Sequence, residues 1–217
     1  MSVTGDPLAV LQRIRESRPR PVEDAEERCE LCSELIPAEH RHLVDLHSRS
    51  LLCACRGCGL LFSSEGAGGD HYRSVPDRYV AFDQIELTAA QWDRLQIPVS
   101  VAFFFLNSSL QRIAAFYPGP AGATESELPL DDWADVVGEN ALLGSMQPDV
   151  EAFLVRAHRG GGPTTESGSG TECYIVPIDA CYELVGHLRL VWRGFDGGAE
   201  ANQKLDDFFE NVRARAR

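Results

Sequence analysis

Two Cys-x-x-Cys motifs constrain this chain more than any other feature: Cys29-Glu-Leu-Cys32 and Cys55-Arg-Gly-Cys58, separated by residues 33–54. Cysteines so spaced on a tight turn aim both sulfurs at one point, and the turn's amides can donate to the thiolates. Two such turns brought together by a hairpin supply four sulfurs in tetrahedral geometry, which suits Zn²⁺. Gly59 directly after Cys58 relieves the crowding of the second turn. The stretch between the pairs fits a hairpin. Leu43, Val44, Leu46, Leu51 and Leu52 are apolar, and residues 47–50 are polar enough to turn. A segment this short has little core of its own, so it depends on metal for its fold.

An iron centre of the rubredoxin type uses the same four-sulfur tetrahedron. Such centres carry Gly after both pairs and Pro inside the second. Here Ser33 follows the first pair and the second contains no Pro. Zinc is therefore the expected ion and iron the alternative, with Cys29, Cys32, Cys55 and Cys58 as ligands. Three further cysteines compete for roles. Cys53 lies two residues before Cys55, and it reads as a packed thiol or as a spare one that receives or passes on metal. Cys173 and Cys181 stand far downstream, as two small buried side chains or as a reactive or transiently metal-binding pair. The reactive reading rests on Asp179 capping a turn and placing Cys181 near a helix N-terminus. His40 and His42 would share one face of a strand. With four thiolates available, they and His47 are expected to be surface histidines.

Residues 1–21 lack an unbroken apolar core and are interrupted by Arg13, Arg15, Arg18 and Arg20, unlike a secretory signal. Seven cysteines without an export signal imply reduced thiols and a cytoplasmic location. The net charge of −13 argues against a general nucleic-acid binder. That charge is uneven. Residues 1–62 hold eight basic and ten acidic side chains, and the rest is far more acidic. No membrane span is expected: the longest apolar run, residues 97–106, is about half the ~20 residues needed and contains Pro98 and Ser100.

These observations divide the chain into a helix and linker over 1–27, a zinc-ribbon-like module over 28–63, and an acidic mixed α/β domain over 72–217. The fold class is α+β, with a mainly antiparallel sheet. The first helix spans 7–17, introduced by Asp6-Pro7 and stopped by Arg18-Pro19-Arg20-Pro21. In the body, strands are expected over 79–87, 97–106, 112–117, 150–157, 173–178 and 188–192. Residues 97–106 form the central one, turning at 107–109 into the next. Helices are expected after Thr88, over 130–143, over 180–185, and at the C-terminus, where Ala201, Leu205, Phe208, Phe209 and Val212 share a face. Residues 118–129 and 160–170 read as loops.

No catalytic constellation stands out. The Gly-rich loop over 160–170 lacks the Gly-Lys-Ser/Thr of a phosphate loop, and neither Gly-x-Ser-x-Gly nor His-Glu-x-x-His occurs. Glu125, Glu127, Asp131 and Asp132 do not form a convincing acid pair; the two aspartates suit the first turn of a helix. The chain is therefore read as non-enzymatic.

The order of segments carries a resemblance. Cys29-Glu-Leu-Cys32, His40-Arg-His-Leu-Val and Leu52-Cys-Ala-Cys-Arg-Gly-Cys58 are followed by Pro98-Val-Ser-Val-Ala-Phe-Phe-Phe105. Tyr117-Pro-Gly-Pro-Ala-Gly-Ala-Thr-Glu-Ser126, Pro148-Asp-Val-Glu-Ala152 and Val176-Pro-Ile-Asp-Ala-Cys-Tyr-Glu-Leu-Val-Gly186 come after. The whole, over about residues 26–214, resembles an uncharacterised actinobacterial family encoded beside high-affinity uptake nickel-iron hydrogenases. The resemblance implies a protein partner, a hydrogenase subunit or maturation factor, and a role in assembly or maturation. A rubredoxin-like electron carrier or hydrogenase electron-transfer subunit is the alternative. A zinc-ribbon regulator or adaptor is a third reading, disfavoured as a nucleic-acid binder by charge.

Overall fold

Uninterrupted apolar runs build the centre of the molecule. A strand covered on both faces needs no polar alternation, and β5 (Val101–Asn107) is of this kind, with Val101–Phe105 all buried. The computed structural model describes residues 26–64, 66–82, 85, 87, 89–126, 143–157, 171–194 and 197–216. Within them, β5 lies inside a six-stranded antiparallel sheet with β4 (Val80–Ala81), β6 (Arg112–Gly119), β7 (Gly122–Glu125), β8 (Glu151–Ala157) and β9 (Thr171–Pro177). The strand order is β4-β9-β8-β5-β6-β7. Phe103 stands opposite Leu154 of β8 and Phe116 of β6, and Val155 stands opposite Cys173 of β9.

Alternation along these strands makes two apolar layers. Val101, Phe103, Phe105, Ala152, Leu154, Tyr174 and Val176 face α3 (Ile178–Val191) and α4 (Gly198–Arg215). Ala102, Phe104, Phe153, Val155, Cys173 and Ile175 face the other way, toward Phe82 and the short helix α2 (Ala89–Arg94), which brings Trp92. The C-terminal helix matches its expected stripe: Ala201, Leu205, Phe209 and Val212 are buried, with Phe208 partly so. Gly197 and Gly198, at φ +89 and +78, make the left-handed turn into it that a Cβ would disfavour.

A second, three-stranded sheet carries the cysteines, in the order β2 (Ser50–Ala54), β1 (Arg41–Asp45), β3 (Tyr72–Ser74), also antiparallel. The hairpin expected between the cysteine pairs is β1–β2. Its third strand comes from the segment the sequence assigns to the body, so the module's sheet runs past residue 63. Val44 and Val75 are buried in the same apolar layer as α3 and α4, so the small sheet and the body share one core.

Four local expectations are corrected. Residues 188–192 are not a strand: Leu188–Val191 is the last turn of α3. Cys181, Leu184, Val185 and Leu188 follow the i, i+3, i+4, i+7 pattern, which the last residues read by themselves do not show. That helix starts earlier too, with Pro177 as its N-cap and Asp179 inside the first turn. Residues 118–129 are not all loop, because β6 turns back into the edge strand β7. Among the described residues of the expected 79–87 strand, only Val80–Ala81 forms strand pairs with the sheet. The helices expected over 7–17 and 130–143, the Thr88 cap and the 160–170 loop lie outside the described residues. Among the described residues, no helix is long and apolar enough to cross a membrane.

One buried ion pair had no sequence signal. Glu151, fully buried, receives Nε and Nη2 of Arg78 at 2.6 and 2.7 Å. The Gln147 amide donates to it at 2.7 Å, and Arg78 also donates to the Ser145 carbonyl. This clamps the crossover between the two sheets to β8.

Candidate metal centre

The first cysteine pair sits on a knuckle. The Cys29 amide donates to the Glu34 carbonyl, the Ser33 amide donates back to the Cys29 carbonyl, and both bonds are 2.8 Å. The turn demands a left-handed residue right after Cys32, and Ser33 adopts φ +63 there. The second pair differs from the expected matching knuckle, because it opens α1 (Arg56–Leu61). Cys55 is the N-cap and its Sγ accepts from the Cys58 amide at 3.4 Å, one of the free amides of a helix start. Gly59 has a structural reason other than its φ: a Cβ there would stand 2.5 Å from Cδ of Arg41.

The hairpin unites the pairs. The Glu30 amide donates to the Cys53 carbonyl at 2.9 Å, and the Cys53 amide donates to the Glu30 carboxylate at 2.6 Å. This reciprocal clasp fastens the knuckle to the outer edge of β2. Glu30 is therefore a positioning residue that the sequence reading missed.

The four sulfurs of Cys29, Cys32, Cys55 and Cys58 all lie within 4.8 Å of one another. Cys32 and Cys55 Sγ are 3.7 Å apart. That is far beyond a disulfide bond of about 2.05 Å. It matches the edge of about 3.8 Å that a tetrahedron with Zn–S of about 2.3 Å requires. All seven cysteines are free thiols.

Electrostatics point the same way. Burial opposes ionisation of Cys29, but the amides of Cys55, Cys32 and Leu31 and the Cys32 thiol prevail and lower it to about 6. Cys58 is pushed up to about 12 by burial, by its hydrogen bonds to the other three thiols and by the charge on Cys29. The Cys58 amide favours the Cys55 thiolate, yet burial and the side chains of Glu34 and Cys32 raise Cys55 on balance. One thiolate thus suppresses its neighbours. Four can ionise together only around a cation, which inverts the local balance.

The remaining cysteines separate. Cys173 lies on the sheet face toward α2, and Cys181 in α3 on the opposite face. They do not meet, so no redox or metal pair is assembled. Nor is Cys181 an activated thiol: it is fully buried, and burial raises it well above its ordinary value. Cys173 is likewise pushed up to about 12 by burial.

Cys53 stays beside the centre, directly opposite His42 in the hairpin register. His40, His42 and Cys53 each bring a ligand atom within 4.8 Å of the others. His40 is not the surface histidine expected, since its side chain is only 8% exposed. His42 donates through Nδ1 to Asp179 Oδ2 at 2.9 Å, joining the small sheet to α3. That bond, against the cost of partial burial, raises His42 above its ordinary 6.5. His47 is exposed on the β1–β2 turn, where Asp45 accepts from the His47 and Ser48 amides.

The arrangement defines an α+β protein with a four-thiol centre that can hold a metal ion. Residues 28–216 match the model of DUF5947, a family of unknown function, and the chain belongs to that family. No curated protein and no solved structure matches it.

Proposed function

We propose that Cys29, Cys32, Cys55 and Cys58 hold one zinc ion and that the chain is a non-enzymatic accessory protein. The gathering of four sulfurs within 4.8 Å of one another carries the reading, because the 3.7 Å between the Cys32 and Cys55 sulfurs fits the edge of a metal tetrathiolate and is far too long for a disulfide. Zinc in this role is structural: it closes a module whose own sealed interior, among the described residues, is Cys29, Ile36, Leu43, Ala54 and Cys55. Ser33 after the first pair and the lack of Pro inside the second favour zinc over iron.

The finer reading is assembly or maturation of a nickel-iron hydrogenase in the cytoplasm, with a hydrogenase subunit or maturation factor as the partner. Its support is the family resemblance and the acidic body, together with free thiols that suit a reducing compartment. Elemental analysis and a visible spectrum of protein purified without added metal test the first part. The expected result is zinc with no colour. Iron, with a visible band that bleaches on reduction, would make the chain an electron carrier. Co-purification of the tagged chain with hydrogenase subunits tests the second part, and its loss in Cys32→Ser would tie the partner to the folded module.

A further inference from the structure

We propose that His40, His42 and Cys53 form a second metal site, with three protein ligands, that takes an exchangeable divalent ion of the zinc class. It goes beyond the four-cysteine reading and uses none of its ligands.

The hairpin makes the site. His42 and Cys53 are directly opposed residues of β1 and β2, so their side chains leave the same face, and His40 precedes His42 by one strand period. Their ligand atoms already lie within 4.8 Å of one another.

Hydrogen bonding then decides which nitrogens are available. His40 Nδ1 is 3.0 Å from the Pro37 carbonyl, which can only accept, so Nδ1 carries the proton. Its Nε2 is left with a lone pair, and that atom is buried with no hydrogen-bond partner among the described residues. A buried acceptor without a partner is unfavourable, and a cation at that place satisfies it. His42 Nδ1 is likewise committed to Asp179 Oδ2, which also leaves Nε2 for a metal.

The outer groups are those a metal site needs. A ligating histidine ordinarily donates its other N–H to a carboxylate or carbonyl, which orients the ring and raises its basicity. His42 has Asp179 in that role, and His40 has the Pro37 carbonyl with the Glu27 carboxylate at 3.4 Å. Two imidazoles and one thiolate suit borderline ions such as Zn²⁺, Co²⁺ and Ni²⁺ better than Mg²⁺ or Ca²⁺.

The site is also reachable. All three residues line a groove of about 1260 Å³ between the small sheet and the body, shared with Tyr79 and Asp179. Three protein ligands leave the fourth position of a tetrahedral ion open, as in zinc sites that exchange or activate a ligand. Cys53 sits two residues from Cys55, so the proposed pair is a closed structural centre beside an open one.

The test is a metal count on the full chain. Metal-free protein is dialysed against buffered Zn²⁺ and bound zinc is measured, then the titration is repeated with Co²⁺ to read the ligand field. Wild type is expected to hold two ions, one of them at least tenfold weaker. Cys53→Ser and His40→Gln should each lose the weaker ion and keep the cobalt–tetrathiolate spectrum, which certifies that the module is folded. His42 is left alone, because it also ties the sheet to α3. Two ions in either variant overturn the site. A wild-type count of one, kept in Cys53→Ser and lost in Cys32→Ser, overturns the second site and leaves the first standing. The reverse pattern overturns the four-cysteine reading and keeps this one.

Discussion

Removing the ion from the four-cysteine centre should unfold the module but not the protein. The module's sealed interior is five residues, two of them the ligands Cys29 and Cys55, whereas the body has a full apolar layer on each face of its sheet. Structural zinc contributes on the order of 10 kcal/mol to small modules at neutral pH, more than this interior can replace. The body still loses contacts. Val44 and Val75, 8% and 6% exposed, lie in its core and would detach with the small sheet. At about 1.5–3 kcal/mol each for a buried aliphatic side chain, that is roughly 3–6 kcal/mol. At about 2–4 °C per kcal/mol for a domain of this size, Tm should fall by roughly 6–24 °C. Cys58→Ser, or a strong chelator on wild type, makes the perturbation. Hydrogen exchange read by mass spectrometry makes the assay, since it separates the hairpin 41–54 from strands β5, β8 and β9. Protection should collapse in the hairpin and persist in the three strands. Full metal content in Cys58→Ser, or an unchanged hairpin after chelation, would refute the reasoning.

Four further outcomes follow from the same geometry. Arg78→Ala leaves the Glu151 carboxylate buried with the Gln147 amide but without its cation, so denaturant unfolding should show a loss of about 3 kcal/mol, the low end for a buried pair because Arg78 is partly exposed. Ser33→Gly removes the cost of a left-handed residue with a Cβ, so a competition titration should show zinc bound about fivefold more tightly, equivalent to about 1 kcal/mol. Asp45 is lowered from its ordinary 3.8 to about 2, first by the Ser48 amide, then by the Ser48 hydroxyl, the His47 amide and the charge of His71, against a smaller cost of burial. Its turn is therefore at full strength above pH 3.8 and weakens as pH falls through about 2; carboxyl NMR should place the midpoint there, and a midpoint near 3.8 would contradict the turn. In native protein stripped of metal, Cys173 and Cys181 should resist alkylation while the five cysteines of the module react, as peptide mapping will show.

The reading of the C-terminal half shows where a linear pattern stops. The strands expected over 97–106, 112–117, 150–157 and 173–178 overlap β5, β6, β8 and β9, because burial on both faces of the central strands leaves continuous apolar runs. Leu188–Val191 looks like a strand for another reason, because Leu-Arg-Leu-Val alternates over too few residues to show a helical period, although it ends a helix and leaves Leu190 exposed. β7 went unseen because Gly122–Glu125 is short and lies at the edge of the sheet, where it pairs with β6 and only Ala123 packs against the core.

The candidate centre divides along the same line. Cys29, Cys32, Cys55 and Cys58 were legible because metal-ligand spacing is a local constraint: a turn of fixed length must present two sulfurs together. The hairpin between them was legible for the same reason. Whether distant residues meet was not. Cys173 and Cys181, eight positions apart, end on opposite faces of a sheet, because strand alternation and the packing of α3 send them apart. His40, His42 and Cys53 converge because the β1–β2 register sets His42 against Cys53, and Asp179, 137 residues away, is brought to His42 by the docking of α3. Spacing along the chain determined the four-sulfur site. Strand register and helix docking, which depend on burying apolar faces together, decided everything that surrounds it.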